Sequence, residues 1–270
     1  MLSTIQFDLA PACTFEEYCY IMNIPNTANV EEIRRKWDST MHLSETQYRA
    51  WHDNWPGWEV HRYDIINHLI KKFNYVNYLE IGVQDAECFK RIDIDHKDAV
   101  DPKPIGLGEE MVNYKVTSND FFELIRGHDI KYDIIFIDGL HWDTQVYLDI
   151  CNALNHLTDN GTIICHDMNP LFEITQIKRA FAGVAQWNGD CWKAWAKLRC
   201  ESPWQSLDMK VVDTDHGVGI IHFGEQKLFE VKDKSQINIH DNSATFELLD
   251  KNRKELLNLI SIEEFYKLYD

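Results

Sequence analysis

Three short stretches set reactive side chains at the ends of apolar runs. Phe136-Ile137-Asp138-Gly139-Leu140-His141 places a carboxylate and an imidazole three residues apart, and Cys165-His166-Asp167 closes the next apolar run with the same two chemistries. Two carboxylates and an imidazole can hold a divalent cation, and a neutral histidine beside them can take the proton of a hydroxyl nucleophile. On this reading Asp138, His166 and Asp167 are metal ligands suited to Mg²⁺ or Mn²⁺. His141, on a loop with Gly139, is then the general base, because the ordinary pKa of Asp167 is too low for it to deprotonate a hydroxyl well near neutrality. The same groups are equally of the type that caps helices and satisfies backbone donors.

The remaining stretch is Leu79-Glu80-Ile81-Gly82-Val83-Gln84-Asp85-Ala86. In an open α/β sheet, ligands bind outside the carboxyl ends of the strands. A pyrophosphate there requires G-x-G-x-x-G, so that backbone N–H groups can approach it closely, and Gly82 alone does not meet that need. A phosphate-free ligand such as S-adenosylmethionine fits Glu80-x-Gly82 better. About twenty residues on, Ala99-Val100-Asp101-Pro102 ends a second strand in an acid that can accept both hydroxyl protons of a ribose. The alternative for Asp101 is a turn cap before Pro102. Ser118, Asn119 and Asp120 follow a third strand candidate, where they can cap a helix or contact an adenine. Asp138 is expected to serve the donor site as well as a metal.

These groups require a parallel sheet to position them. Strand candidates run over 75–83, 98–101, 114–117, 133–138 and 162–166, separated by helical patterns such as 143–157. The run from Tyr132 to Ile137 is almost wholly apolar, as befits a strand buried on both faces. Two close strands at 209–213 and 218–223, joined by Thr214-Asp215-His216-Gly217, read as an antiparallel hairpin. Helical fragments at 14–22 and 30–41 and a Trp-rich link over 51–58 precede the sheet, and a helix over 245–260 and a segment 263–269 follow it. The expectation is an α/β fold in three parts: a helical extension over 1–56, serving as a lid or a dimer contact, a core over 57–223, and a C-terminal extension over 224–270. Asn160-Gly161-Thr162 reads as a tight turn entering a strand.

The 270 residues are 44% hydrophobic with only 12 Gly and 7 Pro, which excludes a disordered or collagenous chain. A formal charge of −17 would repel a phosphate backbone, so nucleic acid is not an expected partner. Seven cysteines form no C-x-x-C pair, which reads as reduced thiols. The start MLSTIQFDLAPACTFEEY has neither a basic nor an apolar signal region, and no stretch approaches the ~18 apolar residues of a membrane span. A cytoplasmic protein is expected.

With Tyr78-Leu79-Glu80-Ile81-Gly82-Val83, Ala99-Val100-Asp101-Pro102, Phe136-Ile137-Asp138-Gly139-Leu140-His141 and Cys165-His166-Asp167 in this order, the chain resembles class I S-adenosylmethionine-dependent methyltransferases. It is most similar to the bacterial branch found with capsule and surface-glycan biosynthesis and related to macrolide-sugar O-methyltransferases. The segment Trp187 to Trp195 and the hairpin Val212 to Gly219 share in this resemblance, which covers about residues 57–223. It implies a Rossmann-like, seven-stranded, mostly parallel sheet with an inserted antiparallel hairpin and helices on both faces. It also implies a donor site of Glu80, Gly82, Asp101 and the Ser118–Asp120 turn, with metal ligands at Asp138 and the pair ending the fifth strand. That pair is His166-Asp167 here where relatives carry two acids or Asp-Asn, and Ala86 stands where they commonly have Gly.

The expected activity is O-methylation of a sugar or nucleotide-sugar hydroxyl, with Asn188 and Asp190 as polar acceptor-site residues and Trp192 and Trp195 as core. The competing functions are an NAD-dependent oxidoreductase, which the missing glycines disfavour, and a non-catalytic adenosyl-fold scaffold, which would need none of Glu80, Asp101, Asp138 and His141.

Overall fold

A computed structural model describes residues 30–177, 184, 186–201, 207–232 and 244–270. The helical fragment expected at 14–22 lies outside the described residues. In chain order the elements are α1 (Val30–His52), α2 (Arg62–Phe73), β1 (Asn77–Ile81), β2 (His96–Val100), α3 (Ser118–Leu124) and β3 (Tyr132–Ile137). They continue through α4 (Asp143–Asn155), β4 (Leu157–Cys165), α5 (Cys191–Cys200), β5 (Leu207–Val212), β6 (Val218–Phe223), α6 (Phe246–Leu257), β7 (Leu259–Ile260) and α7 (Ile262–Leu268).

The apolar runs form one seven-stranded sheet in the order β2-β1-β3-β4-β6-β5-β7. Pairing is parallel from β2 through β4 and between β5 and β7, and antiparallel where β6 meets β4 and β5. Because side chains alternate along a strand, each central strand feeds two cores. Leu79, Ile81, Ile135, Ile137 and Ile163 pack with α3, α4, α5 and α6 on one face. Tyr78, Ile134, Phe136 and Ile164 pack with α2 and α7 on the other. Trp192 and Trp195 are fully buried in the first of these cores, as their helical spacing predicts.

The structure departs from the sequence reading at four places. The strand expected at 114–117 reduces to a single parallel bridge between Val100 and Tyr114. The turn expected at Asn160-Gly161-Thr162 is continuous strand inside β4, with a register irregularity opposite Tyr132 and Ile134. A Cβ on Gly161 would sit 2.9 Å from the Asp133 carbonyl oxygen, so the glycine serves close strand approach rather than a turn. The helix expected over 30–41 runs on to His52. The helix expected over 245–260 stops at Leu257, where Asn258 takes a left-handed conformation, and the next two residues become the edge strand β7. The C-terminal residues are therefore part of the sheet and not an appendage beside it.

No described helix is long and apolar enough to cross a membrane. No disulfide joins the described cysteines, Cys88, Cys151, Cys165, Cys191 and Cys200.

Candidate active site

The carboxyl ends of β1, β3 and β4 lie side by side, and the antiparallel register of β6 brings the β5–β6 hairpin tip to the same edge. Met168 N–H donates to Gly217 O at 3.0 Å and Asn169 N–H to His216 O at 2.8 Å, which fixes that tip beside the residues following β4. Asp167 has a φ of +63°, a conformation non-glycine residues enter only under constraint, and its neighbours supply the constraint.

Four side chains converge in a square. His141 Nε2 lies 3.4 Å from both Asp138 Oδ1 and Asp167 Oδ2. His166 Nδ1 lies 3.3 Å and 3.1 Å from those same two oxygens. Burial alone would raise the Asp138 carboxyl, but His166, His141 and Arg62 together hold it well below the usual carboxylate range. Burial disfavours charge on His141 and His166, yet the flanking Asp167 and Asp138 raise both imidazoles. The His141 ring stacks on Trp187 with centroids 4.8 Å apart. Its Nδ1 is shielded from solvent and has no hydrogen-bond partner among the described residues. Since the two carboxylates can only accept, their contacts assign the proton to Nε2 and leave a lone pair on Nδ1.

The sequence reading missed three contributors. Arg62 opens α2; its N–H donates to Asp215 Oδ2 at 2.8 Å, and its Nη1 lies 3.2 Å from both that oxygen and His166 Nε2. Asp215 and His216 come from the hairpin tip, and the His216 ring meets that of His166 edge-on at 5.9 Å. Asp138, Asp167 and Asp215 thus surround His166 from three elements. The basic residue opening α2 and the Asp-His pair in the hairpin link were visible as residues, but their distance from the motifs along the chain hid the contact.

Asn188 and Asp190, expected to face an acceptor, are tied into the fold by their own bonds. Asn188 Nδ2 donates to Asp167 Oδ1 at 2.9 Å, and Asp190 Oδ1 accepts from the Asp143 N–H at 2.9 Å at the start of α4. Both are buried, because they clamp the segment before α5 onto the Asp138–Asp143 loop. Gly189 lies between them, 2.1 Å from His141 O to a would-be Cβ, so only glycine permits this approach.

The donor-side residues divide likewise. Gly82, with a φ of +85°, closes the β1 end against the backbone of Asp138. Asp101 accepts from the N–H groups of Val83 and Gln84 at 3.0 Å and 2.8 Å through one oxygen and from Lys103 N–H at 2.7 Å through the other, so it shapes the loop after β1. A carboxylate has further lone pairs with which to meet a ribose. Thr117 caps α3 by accepting from Asp120 N–H, Ser118 and Asn119 bond Gln145, and their role toward an adenine stays an expectation. Ala86 adopts a φ of +62°, consistent with a position where glycine would be relaxed.

Glu80 is enclosed, 1% exposed, and its carboxyl accepts from the Tyr78 hydroxyl. Burial, the largest influence, outweighs that bond and pushes the carboxyl from 4.5 up to about 8. Between these values the folded chain keeps a proton the unfolded chain has released, so stability falls as pH rises through the window. Glu80→Gln is therefore expected to raise Tm relative to wild type above pH 8 and to change it little below pH 4.5. A Tm difference independent of pH would show that Glu80 is not protonated in the fold.

The strand order and the site at the carboxyl edge define a Rossmann-like methyltransferase fold, with the antiparallel hairpin inserted beside the last parallel strand. Residues 75–168 match the profile of a family described as a methyltransferase domain. Among solved structures, the chain is similar to a protein assigned as a caffeoyl-CoA O-methyltransferase from Staphylococcus aureus, at 19% identity and a TM-score of 0.46 over 71% of this chain and 98% of that one. It is also similar to an O-methyltransferase from Bacillus cereus in complex with SAH, at 14% identity and a TM-score of 0.42 over 77% and 98%. A third, SAH-bound methyltransferase PaMTH1 from Podospora anserina, is 16% identical with a TM-score of 0.43 over 74% and 99%. No curated protein matches the chain.

Proposed function

We propose that the protein is an S-adenosylmethionine-dependent O-methyltransferase acting on a hydroxyl of a sugar or nucleotide-sugar, of the kind used as a capsular or surface-glycan precursor. The observation that carries the hydroxyl chemistry is His141. Its Nε2 is held between two carboxylates, while its Nδ1 is enclosed with no partner among the described residues. Such a ring is oriented and electrostatically prepared to take a proton at Nδ1 from an acceptor hydroxyl. The oxygen then attacks the donor methyl in line and the sulfonium leaves as a neutral thioether. Positioning supplies most of the rate in such a displacement. The donor reading rests on the methyltransferase domain and on the single-glycine loop at Gly82, and the sugar class rests on the sequence resemblance.

The residues also fit a divalent cation. Asp138, His141 and Asp167 each offer a ligand atom, all within 4.8 Å of one another, and His166 Nδ1 faces the same two carboxylate oxygens. A cation held by Asp138 and Asp167 with an imidazole nitrogen would supply a Lewis acid for the acceptor hydroxyl. Oxygen-rich donors suit Mg²⁺ or Mn²⁺.

A methyl-transfer screen of S-adenosylmethionine against nucleotide-linked sugars tests the function, and chelation tests the metal. Activity is expected to fall in excess chelator and to return with Mg²⁺ or Mn²⁺. Full turnover in chelator, with no metal found by elemental analysis, would leave the square as acid–base residues only. Transfer to catechols but to no sugar would keep the methyltransferase and overturn the acceptor class.

A further inference from the structure

An S-adenosylmethionine molecule ends in a zwitterion, an α-ammonium and an α-carboxylate a few ångströms apart. The acids of this sheet edge, Asp101, Asp138, Asp167 and Asp215, suit the ammonium, whereas the carboxylate needs a cationic partner outside the His141–His166 square. Arg62 stands there. Its Nε lies 3.7 Å from Asp138 Oδ2, while His141 and His166 approach the other oxygen, Oδ1. Asp138 in turn abuts Gly82, whose would-be Cβ falls 2.2 Å from the Asp138 carbonyl, so the Arg62–Asp138 pair adjoins the loop expected to receive the donor.

Arg62 is also incompletely used. Its Nη1 and backbone N–H are committed to Asp215, with His166 alongside. Its Nε is shielded from solvent and has no hydrogen-bond acceptor among the described residues, a costly state for a guanidinium N–H. Lys193 and Arg253 are engaged elsewhere. Lys193 lies 3.7 Å from Asp190, and Arg253 donates to Asn169 and to Pro170 O.

We propose that Arg62 recognises the donor's α-carboxylate, working as a pair with Asp138, which receives the α-ammonium. This rests on the reading of the donor as S-adenosylmethionine. Asp215 has a defined part in it: by holding the backbone and Nη1 of Arg62 it fixes the guanidinium at the sheet edge, so the carboxylate meets a pre-ordered donor group.

Calorimetry with three ligands separates the possibilities: S-adenosylhomocysteine, its decarboxylated analogue, which keeps the amine, and 5′-deoxy-5′-methylthioadenosine, which lacks both groups. Wild type is expected to bind S-adenosylhomocysteine about 10–100-fold more tightly than the decarboxylated analogue, the worth of one charge-assisted contact. Arg62→Met is expected to remove that preference while leaving the affinity for the decarboxylated analogue unchanged, and Arg62→Lys to restore part of it. Equal weakening of all three ligands by Arg62→Met makes Arg62 a structural residue and overturns the proposal, as does undiminished preference in the variant. If Arg62→Met does not fold, Arg62→Lys and the wild-type ligand series decide: no wild-type preference for the carboxylate sinks the proposal. Wild type that binds none of the three sinks the donor reading itself, whereas equal binding of all three leaves that reading standing and removes only the role of Arg62.

Discussion

His141→Ala is expected to lower kcat by roughly 10²–10⁴, the usual worth of a positioned general base, or about 3–5 kcal/mol of transition-state stabilisation. The ring is held by Asp138 and Asp167 on one side and by Trp187 on the other, so deleting it removes a pre-oriented group and not a mobile one. Donor affinity should change far less than kcat, because the donor loop is shaped by Gly82 and by the bonds of Asp101 to Val83 and Gln84. The pH profile adds a second reading. The flanking acids raise the His141 pKa against the effect of burial, and a base works only when deprotonated. The acidic limb of kcat is therefore expected above the ordinary histidine value, and it should vanish in the alanine variant. Retained kcat with lost acceptor affinity would make His141 a binding residue. Metal lost together with activity would move it into the ligand set.

How the site reads from sequence depends on how far apart its parts lie. Asp138, His141, His166 and Asp167 were legible because two adjacent parallel strands, each marked by an apolar run, must end at one edge, and the structure brings all four together. Arg62 and Asp215 were not. Their meeting depends on the register Cys165↔Gly219, which sets the hairpin tip beside the β4 end, and no local pattern specifies a pairing across more than fifty residues. Asn188 and Asp190 show a different difficulty. Polar residues near a site look alike in sequence whether they face a ligand or support a loop, and their bonds to Asp167 and Asp143 appear only in the fold. The edge strand β7 is hidden in the sequence because Leu259 and Ile260 continue an apolar helical pattern, and the break comes from Asn258 entering the left-handed region.

Gly82→Ala is expected to be the most damaging small substitution at the donor edge. Two costs combine there. The φ of +85° is a conformation that alanine adopts only at about 1–2 kcal/mol. The added Cβ would also sit 2.2 Å from Asp138 O and 2.4 Å from Gly139 Cα, both backbone atoms that no rotamer change can move. The ends of β1 and β3 must then separate, at a further ~1–3 kcal/mol typical of overpacking. That separation carries Asp138 away from the square and the donor loop away from Asp138, so donor affinity and turnover should fall together. Gly127 isolates the first cost, since it has a φ of +77° and nothing within 4 Å of a would-be Cβ. Chemical denaturation of the two variants makes the comparison: Gly127→Ala should lose only about 1–2 kcal/mol and bind donor like wild type. Equal losses of stability in both variants, with donor binding intact in each, would mean that the close approach of Gly82 to Asp138 contributes nothing to holding the site.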